Sequence, residues 1–254
     1  MKMLDGRTVL VSGIYRESSI AFRVAELALE EGATVIASGW GKRLPITRAT
    51  VKRLPVSVPV VEFDATVPEH VDGLTEQLRM HTDRVDGVVH CISQSWPTVV
   101  GDNFLGAPYT DVSHSLEVSA FSYVSLVKAC LPLMTVGGSV VGCTIDGAVA
   151  WPLYGWAGVA KAAYESENRY LAHHLGKRGI RANLVAAGPI ESLTMQQVEG
   201  AEITRDLWKR APLRWDQRDA TPTAKTMVAL LSDYLPMTTG EVVHCDGGFH
   251  AVGY

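Results

Sequence analysis

The sequence predicts an α/β fold in which a parallel sheet of about seven strands is covered by helices on both faces. Seven short β-branched runs recur along the chain, and most are apolar throughout, as strands buried on both faces must be. Longer segments with helical periodicity alternate with them. The chain has 254 residues, 47% hydrophobic and 20% charged, which is enough apolar material for a substantial core. We therefore predict a Rossmann-type doubly wound sheet in a single domain spanning residues 1–254.

The predicted elements follow one another in strand–helix order. The strands are predicted at 8–12, 34–37, 58–63, 87–91, 139–143, 181–187 and 241–245. The helices are predicted near 19–31, 69–81, 111–134, 154–177 and 221–232. The segment 189–212 has neither periodicity and is too long for an ordinary connection, which favours a substrate lid.

Charge and cysteine usage exclude several classes of protein. A net charge of −4 without a long basic run argues against a partner that is nucleic acid or a membrane surface. No apolar stretch reaches the length of a membrane span, and the first residues fit a strand better than a signal peptide. The four cysteines stand alone without a CxxC pair, which favours reduced thiols in a cytoplasmic protein. No group of residues has zinc spacing, so we expect no metal.

Tyr154 and Lys161 form the most informative pair in the chain. On a helix, seven positions make almost two full turns, so both side chains lie on one face about 10 Å apart. Such a lysine can anchor a cofactor ribose, while the phenol donates a hydrogen bond to a substrate oxygen that gains negative charge. Helices also carry Tyr and Lys on one face by chance, so the pair needs support from its surroundings.

A cofactor site is predicted where the first strands end. Gly13 ends the first strand and a helix opens at Ser19, which directs backbone N–H groups toward a pyrophosphate, although the GxGxxG fingerprint is absent. Asp64 ends the third strand, where it either accepts a hydrogen bond from adenine or caps the next helix. After the second strand, Lys42 and Arg43 could meet the 2′-phosphate of NADPH, whereas Trp40 could crowd it out. The choice between NADH and NADPH therefore stays open.

Ordered motifs along nearly the whole chain resemble one family. They read LVSGI at 10–14, SSIAF at 18–22, DGVVH at 86–90, APYTDVS at 107–113, GGSVVG at 137–142, RANLVAAGPI at 181–190, DATPTAK at 219–225 and DGG at 246–248. The chain resembles the enoyl-acyl-carrier-protein reductases, a divergent branch of the short-chain dehydrogenase/reductases, and most resembles the mycobacterial long-chain form. Ordinary short-chain dehydrogenases use Tyr-x3-Lys, but Ala157 stands four residues before Lys161, so Tyr154 gives the Tyr-x6-Lys spacing of this branch.

The resemblance implies a role for each matching residue. Tyr154 would hydrogen-bond the thioester carbonyl of the substrate, and Lys161 would hold the nicotinamide ribose. The residues implied to contact the cofactor are Ser19, Ile20, Asp64, Ala65, Ile92, Ser93, Lys161, Ile190 and Ser192. Gly13 and Trp40 are further cofactor candidates from their positions at the ends of the first two strands. The resemblance also implies a homotetramer and an acyl thioester substrate, carried by acyl carrier protein.

Departures from the family pattern cluster around the substrate. Ile145 stands where the family carries an aromatic residue, Ser93 stands in place of glycine in the mycobacterial form, and Glu191 replaces an arginine. The lid is shorter than in the long-chain form, which favours shorter acyl chains. Within the lid, Met195 and Val198 are candidates to line an acyl pocket, although helix–helix packing would explain them too.

Three functions remain in play. The leading hypothesis is NAD(P)H-dependent reduction of the 2,3-double bond of a trans-2-enoyl thioester in fatty-acid synthesis. An alternative is a specialised-metabolism reductase or cyclase that acts on a polyketide-type substrate with the same fold. A third is a dinucleotide sensor without turnover, against which Tyr154 and Lys161 speak.

Overall fold

The computed structural model describes residues 2–190 and 208–253, which build one parallel sheet of seven strands. The strands are β1 (Thr8–Ser12), β2 (Thr34–Gly39), β3 (Val60–Glu62), β4 (Val85–His90), β5 (Met134–Thr144), β6 (Arg181–Ala187) and β7 (Val242–Cys245). Their order in the sheet is β3-β2-β1-β4-β5-β6-β7, and every pairing is parallel. The strand order reverses direction between β1 and β4, so a crevice opens there at the carboxyl ends of the strands.

Helices cover both faces of the sheet, which confirms the predicted Rossmann-type architecture. They are α1 (Ile20–Glu30), α2 (Leu44–Thr50), α3 (Pro68–Arg79), α4 (Tyr109–Leu116), α5 (Ser122–Cys130), α6 (Gly155–Gly176) and α7 (Thr221–Leu231). Side chains of α1 and α7 form one apolar core with the sheet, whereas α3, α5 and α6 form a second core on the opposite face. Both faces of the sheet are therefore buried from solvent, which explains why its strands are apolar throughout.

Two segments differ from the sequence prediction. The predicted helix at 111–134 is divided into α4, a π-helical turn (Glu117–Phe121) and α5, and its last residue instead begins β5. β5 starts five residues earlier than predicted because Met134 pairs with Val85 before the register shifts to Ser139 and Gly87. The polar and glycine residues inside this irregularity hide the continuity of the strand in the sequence. The short α2 was not predicted, and most of the predicted lid (191–207) lies outside the described residues.

Two further findings on the described residues concern membrane-spanning helices and metal-binding clusters. None of their helices combines the length and apolarity that crossing a membrane requires. They contain no cluster of three or more His, Cys, Asp or Glu side chains arranged to hold a metal ion. All four cysteines are free thiols.

We predict that Asp86→Ala weakens the fold without touching the site at the carboxyl ends. Asp86 is buried near the start of β4, where its carboxylate accepts hydrogen bonds from Thr8 N–H (2.8 Å), Thr135 Oγ1 (3.2 Å) and Arg84 Nε (3.1 Å). Removing these acceptors should lower the free energy of unfolding by about 1–3 kcal/mol, measured by chemical denaturation. Asp72→Ala, an exposed acid on α3, is the control and should change it by less than about 0.5 kcal/mol. Equal losses in the two variants would contradict the prediction.

Candidate active site

The candidate site lies at the carboxyl edge of the sheet, where the strand order reverses. It consists of two cavities of about 250 and 220 Å³ that share Ile92 as a lining residue. The first is lined by residues that follow β1, β4, β5 and β6, together with the start of α6. The second lies beyond the ends of β2 and β3. Together the two cavities have the volume of a small-molecule site, and an elongated ligand could occupy both.

Gly13 makes the turn that opens the first cavity. Its φ is +94°, and a Cβ there would lie 2.2 Å from the carbonyl oxygen of Cys91, so only glycine fits between β1 and β4. The unpredicted α2 holds the next residue in place, since Thr47 Oγ1 donates to the carbonyl oxygen of Ile14 at 2.6 Å. This contact fixes the backbone directly beside a ligand position.

The N-terminus of α1 opens into the same cavity. Ser19 caps the helix, because its Oγ accepts a hydrogen bond from Phe22 N–H at 3.2 Å. Ser19 and Ile20 both line the cavity. The positive end of the helix dipole and its free N–H groups therefore face the position that a pyrophosphate would take.

Tyr154 enters the first cavity from a strained turn directly before α6. Leu153 and Gly155, its two neighbours, both have positive φ angles, +69° and +49°. A Cβ at Gly155 would lie 2.8 Å from the carbonyl oxygen of Val99, and the carbonyl of Leu153 accepts from Gly101 N–H at 2.8 Å. The loop at 99–101 thus clamps the turn that aims the phenol, and backbone strain of this kind is concentrated at functional sites.

Lys161 lies two turns further along α6 and lines the same cavity as Tyr154. Its Nζ donates to the carbonyl oxygen of Cys143 at 3.1 Å, at the end of β5. Burial lowers the pKa of Lys161, while Cys143, Cys91 and Glu165 act in the opposite direction. Burial, with a smaller effect of Cys143, raises the pKa of Tyr154 to about 12, so its phenol is a protonated donor at neutral pH.

The second cavity collects the residues predicted for the adenine end of a cofactor. Trp40, Asp64 and Ala65 line it, and Ile92, which is predicted to contact the cofactor, lines both cavities. Asp64 does not cap α3, whose N-cap is Val67. Instead, Asp64 Oδ1 accepts two hydrogen bonds from Thr66, one from its N–H at 3.0 Å and one from its hydroxyl at 2.7 Å. The capping alternative for Asp64 is therefore wrong, and the carboxylate is available to the cavity.

The remaining predicted site residues divide into two groups. Ser93, Ile145 and Ile190 line the first cavity beside Tyr154. Ser192, Met195 and Val198, together with Glu191, lie outside the described residues. Their predicted roles stay predictions.

Sequence reasoning missed the residues that support the site from behind. Ser119, in the π-helical turn, bonds through its Oγ to Ser93 Oγ (3.2 Å), Gln94 N–H (3.0 Å) and the Gln94 carbonyl (2.9 Å). Trp215 packs on Gly188, where a Cβ would lie 2.5 Å from its ring, and its Nε1 donates to the Pro189 carbonyl at 2.8 Å. Each contact joins residues 25 to 27 positions apart, so no local pattern in the sequence could have revealed it.

These features fit a nicotinamide dinucleotide. The turn at Gly13 has no room for a side chain, and the N-terminus of α1 faces it. A half-buried lysine lines the same cavity, and a second cavity continues toward Asp64. The sheet and this crevice define the class: a Rossmann-type dinucleotide-binding protein.

Comparison with known proteins gives the family. The model of the family described as enoyl-(acyl carrier protein) reductase matches residues 13–250. A protein of Mycolicibacterium smegmatis, named an enoyl-acyl-carrier-protein reductase (NADH), is 43% identical, with 97% of each chain covered. A Mycobacterium avium protein of the same name shows the same identity and coverage. A Staphylococcus aureus relative, named for NADPH, is 32% identical over 99% of this chain and all of its own. The chain belongs to the enoyl-acyl-carrier-protein reductase family.

We predict that Gly13→Ala abolishes or strongly weakens dinucleotide binding. The added Cβ would collide with the Cys91 carbonyl and disfavour the positive φ, so the turn must move into the cavity. Titration with NADH, followed by fluorescence, should show at least about a tenfold loss of affinity, because a displaced turn loses its backbone contacts.

Gly6→Ala is the matched control. Gly6 also has a positive φ, +67°, but a Cβ there would meet nothing within 4 Å. This variant carries the backbone strain without the collision and should bind NADH like the wild type. Unchanged binding by Gly13→Ala would show that the turn does not contact the cofactor.

Proposed function

We propose that this protein reduces the 2,3-double bond of a trans-2-enoyl thioester, using NADH, in fatty-acid synthesis. The observation that carries the proposal is that Tyr154 and Lys161 line one cavity together with Gly13 and the capped start of α1. Relatives that share 43% identity over 97% of the chain are named for this activity. By the same resemblance, we propose that the thioester is carried on acyl carrier protein and that the enzyme is a cytoplasmic homotetramer of one-domain subunits.

Tyr154 performs the electrostatic part of the reaction. A reduced nicotinamide bound in this cavity would supply the hydride for Cβ of the enoyl group. Negative charge then develops on the thioester oxygen, and the protonated phenol of Tyr154 donates a hydrogen bond to it. Because the phenol is held in a half-buried site by a strained turn, little reorganisation is needed as the charge appears. A proton taken up from solvent at Cα completes the reduction.

The other residues bind and orient the reactants. Lys161 holds the ribose next to the nicotinamide ring, and Ser19 with Ile20 receives the pyrophosphate. Ile92, Ser93 and Ile190 line the walls of the nicotinamide end, while Ile145 offers an apolar surface to the acyl group. The lid residues Met195 and Val198 would extend that surface, and Ser192 would meet a phosphate.

The end of β2 favours NADH over NADPH. An ideal Cβ at Gly41 would lie 3.8 Å from Asp64 Oδ2, so the Asp64 carboxylate stands beside the segment that follows β2. A 2′-phosphate placed there would be repelled by the like charge. Trp40 lines the same cavity and occupies further space. Lys42 and Arg43 are both exposed in this structure.

We predict that Tyr154→Phe reduces kcat on crotonyl or octenoyl thioesters about a hundredfold or more, because one donor to the developing oxyanion is lost. Affinity for NADH should stay unchanged. Since burial raises the pKa of Tyr154 to about 12, deprotonation of the phenol should not limit the wild-type rate below about pH 11. Turnover is followed by the loss of NADH absorbance.

Tyr170→Phe is the control for this prediction, because Tyr170 is an exposed tyrosine of the same helix. It should turn over like the wild type. Turnover by Tyr154→Phe at the wild-type rate would remove the role of Tyr154. If simple enoyl thioesters fail with the wild-type protein while a polyketide-type acceptor is converted, the alternative function holds instead.

We further predict that Asp64→Asn relaxes the preference for NADH. Loss of the carboxylate charge removes the repulsion, while Lys42 and Arg43 remain to attract a 2′-phosphate. The ratio of kcat/KM for NADH to that for NADPH should fall about tenfold, the effect of roughly 1.4 kcal/mol. Asp72→Asn makes the same charge change at an exposed position of α3 and should leave the ratio unaltered. A wild-type enzyme that prefers NADPH would contradict the assignment of Asp64.

A further inference from the structure

Tyr164 is a fully buried tyrosine in α6, one turn after Lys161, and the proposed chemistry does not use it. Its side chain reaches the sheet at Gly142 in β5, where an added Cβ would lie 1.9 Å from the Tyr164 hydroxyl. Gly142 is the register partner of His90 on β4. The absence of a side chain at Gly142 therefore opens the space through which the Tyr164 hydroxyl reaches His90.

A chain of buried hydrogen bonds anchors the Tyr164 ring. The Tyr164 hydroxyl lies 2.7 Å from His90 Nδ1, and His90 Nε2 lies 2.8 Å from Ser122 Oγ. Since Ser122 Oγ donates to the Val118 carbonyl at 2.8 Å, it must accept from His90 Nε2–H. His90 Nδ1 is then the acceptor for the Tyr164 hydroxyl. Burial and the neighbouring Lys161 lower the pKa of His90 to about 3, so the imidazole is neutral and this pattern persists at neutral pH.

The face of the anchored ring is turned to Lys161. The Lys161 Nζ lies 4.9 Å from the centroid of the Tyr164 ring, within the range of a cation–π contact. Among the hydrogen bonds of the described residues, Nζ makes one, to the Cys143 carbonyl. A lysine ammonium has three N–H donors, so donors are left over for a ligand in the cavity.

We propose that the Tyr164 ring is a positioning element for Lys161, holding its ammonium toward the cofactor cavity, with His90 and Ser122 fixing the ring. This inference rests on the proposed function in that it takes Lys161 to hold the cofactor. The lysine stem is flexible, and an unrestrained ammonium would have to be ordered when the cofactor binds. Attraction to a fixed ring face restricts that motion in advance, and it replaces a carboxylate partner that would compete for the donors of Lys161.

The binding experiment compares three variants by titration with NADH, without acyl substrate. Tyr164→Leu removes the ring and should weaken binding about tenfold, within the range expected for a desolvated cation–π contact. Tyr164→Phe keeps the ring and should bind within about twofold of the wild type, although it leaves His90 Nδ1 unpaired and lowers stability. Tyr123→Leu is the matched control, since Tyr123 is equally buried and packs on Tyr164 and His90 instead of under Lys161.

A second comparison preserves the shape of the core, because Tyr164→Leu also opens a cavity. At position 164, phenylalanine is compared with a ring-trifluorinated phenylalanine, which fills nearly the same space but has a less negative face. We expect the fluorinated variant to bind NADH several-fold more weakly than Tyr164→Phe. Equal affinities would overturn the proposal, as would losses in Tyr123→Leu equal to those in Tyr164→Leu.

The titration of Lys161 in the free protein gives a readout that does not depend on the cofactor. The charged or titratable groups that act on its ammonium are His90 at the end of β4, Cys91 directly after it, Cys143 from β5, and Glu165 from its own helix, whose carboxylate is bonded to Thr144 and Gly147. A negative ring face favours the protonated lysine, so removing it should lower the pKa of Lys161 further. NMR of isotope-labelled lysine should show this decrease in Tyr164→Leu and not in Tyr123→Leu.

The two readouts separate the possible failures. If the wild-type protein does not bind NADH, the proposed function fails, and a decrease in the pKa of Lys161 confined to Tyr164→Leu would still support the contact. If NADH binds and is turned over while the Tyr164 variants match their controls in both readouts, the proposed function stands and the positioning role is wrong.

Discussion

The packing of α6 on the sheet is the constraint on which the site depends. The buried positions of this helix are Ala160, Tyr164, Glu165, Asn168, Ala172 and Leu175, and all except Glu165 recur at intervals of three or four residues. Lys161 continues the same stripe by one further turn toward the carboxyl edge of the sheet. The core thus fixes the rotation of α6, and its rotation determines that the last side chain of the stripe reaches the crevice. A change of helix register would turn the ammonium away from the cavity altogether.

Burial favours the uncharged form of both Tyr154 and Lys161, which suits a phenol that donates a hydrogen bond but opposes the charge of the ammonium. The phenol of Tyr154 stays protonated because desolvation raises its pKa to about 12, which makes it a donor to an oxyanion. Desolvation also opposes the charge of Lys161, yet the nearest helical acid, Glu165, is directed elsewhere. Glu165 Oε1 accepts from Thr144 Oγ1 at 3.1 Å and from Gly147 N–H at 2.8 Å. Lys161 contacts the Cys143 carbonyl and the face of the Tyr164 ring and makes no salt bridge within the described residues, so its ammonium can attract an anionic or polar ligand.

The sequence was informative where one residue type has one physical use. Short β-branched apolar runs between turn signals favour strands covered on both faces, and a Tyr-x6-Lys pair in a helix shares a face. The sequence was uninformative where one residue type can serve several structural or functional roles. Asp64 was as consistent with a helix cap as with a binding site, and only the position of Val67 as N-cap excludes the first of these. The contacts of Tyr164 could not be derived from the sequence around it, because the space that its hydroxyl fills is at Gly142, on a distant strand.

Boundary errors have a similar cause. The end of α5 and the start of β5 depend on the pairing of Met134 with Val85, a tertiary contact that overrides the local preference for helix. The contact from Thr47 to Ile14 is likewise non-local, so neither α2 nor its role behind the Gly13 turn could be derived from a window of sequence. Local patterns therefore predicted the order of the elements better than they predicted what supports the site.

Tyr154 and Lys161 share a helix face but are positioned by different forces. Lys161 lies within regular helix, and its place follows from the core beneath it. Tyr154 precedes the first helical residue, and its place follows from a turn with two positive φ angles held by the 99–101 loop. The positive φ of Leu153 costs of order 1–3 kcal/mol, and the backbone contacts from the 99–101 loop hold the turn in this strained conformation. Helix geometry therefore sets the distance between Tyr154 and Lys161 along the helix axis, whereas the 99–101 loop sets the direction of the phenol. Substitutions in that loop can for this reason alter catalysis without disturbing the cofactor side of the cavity.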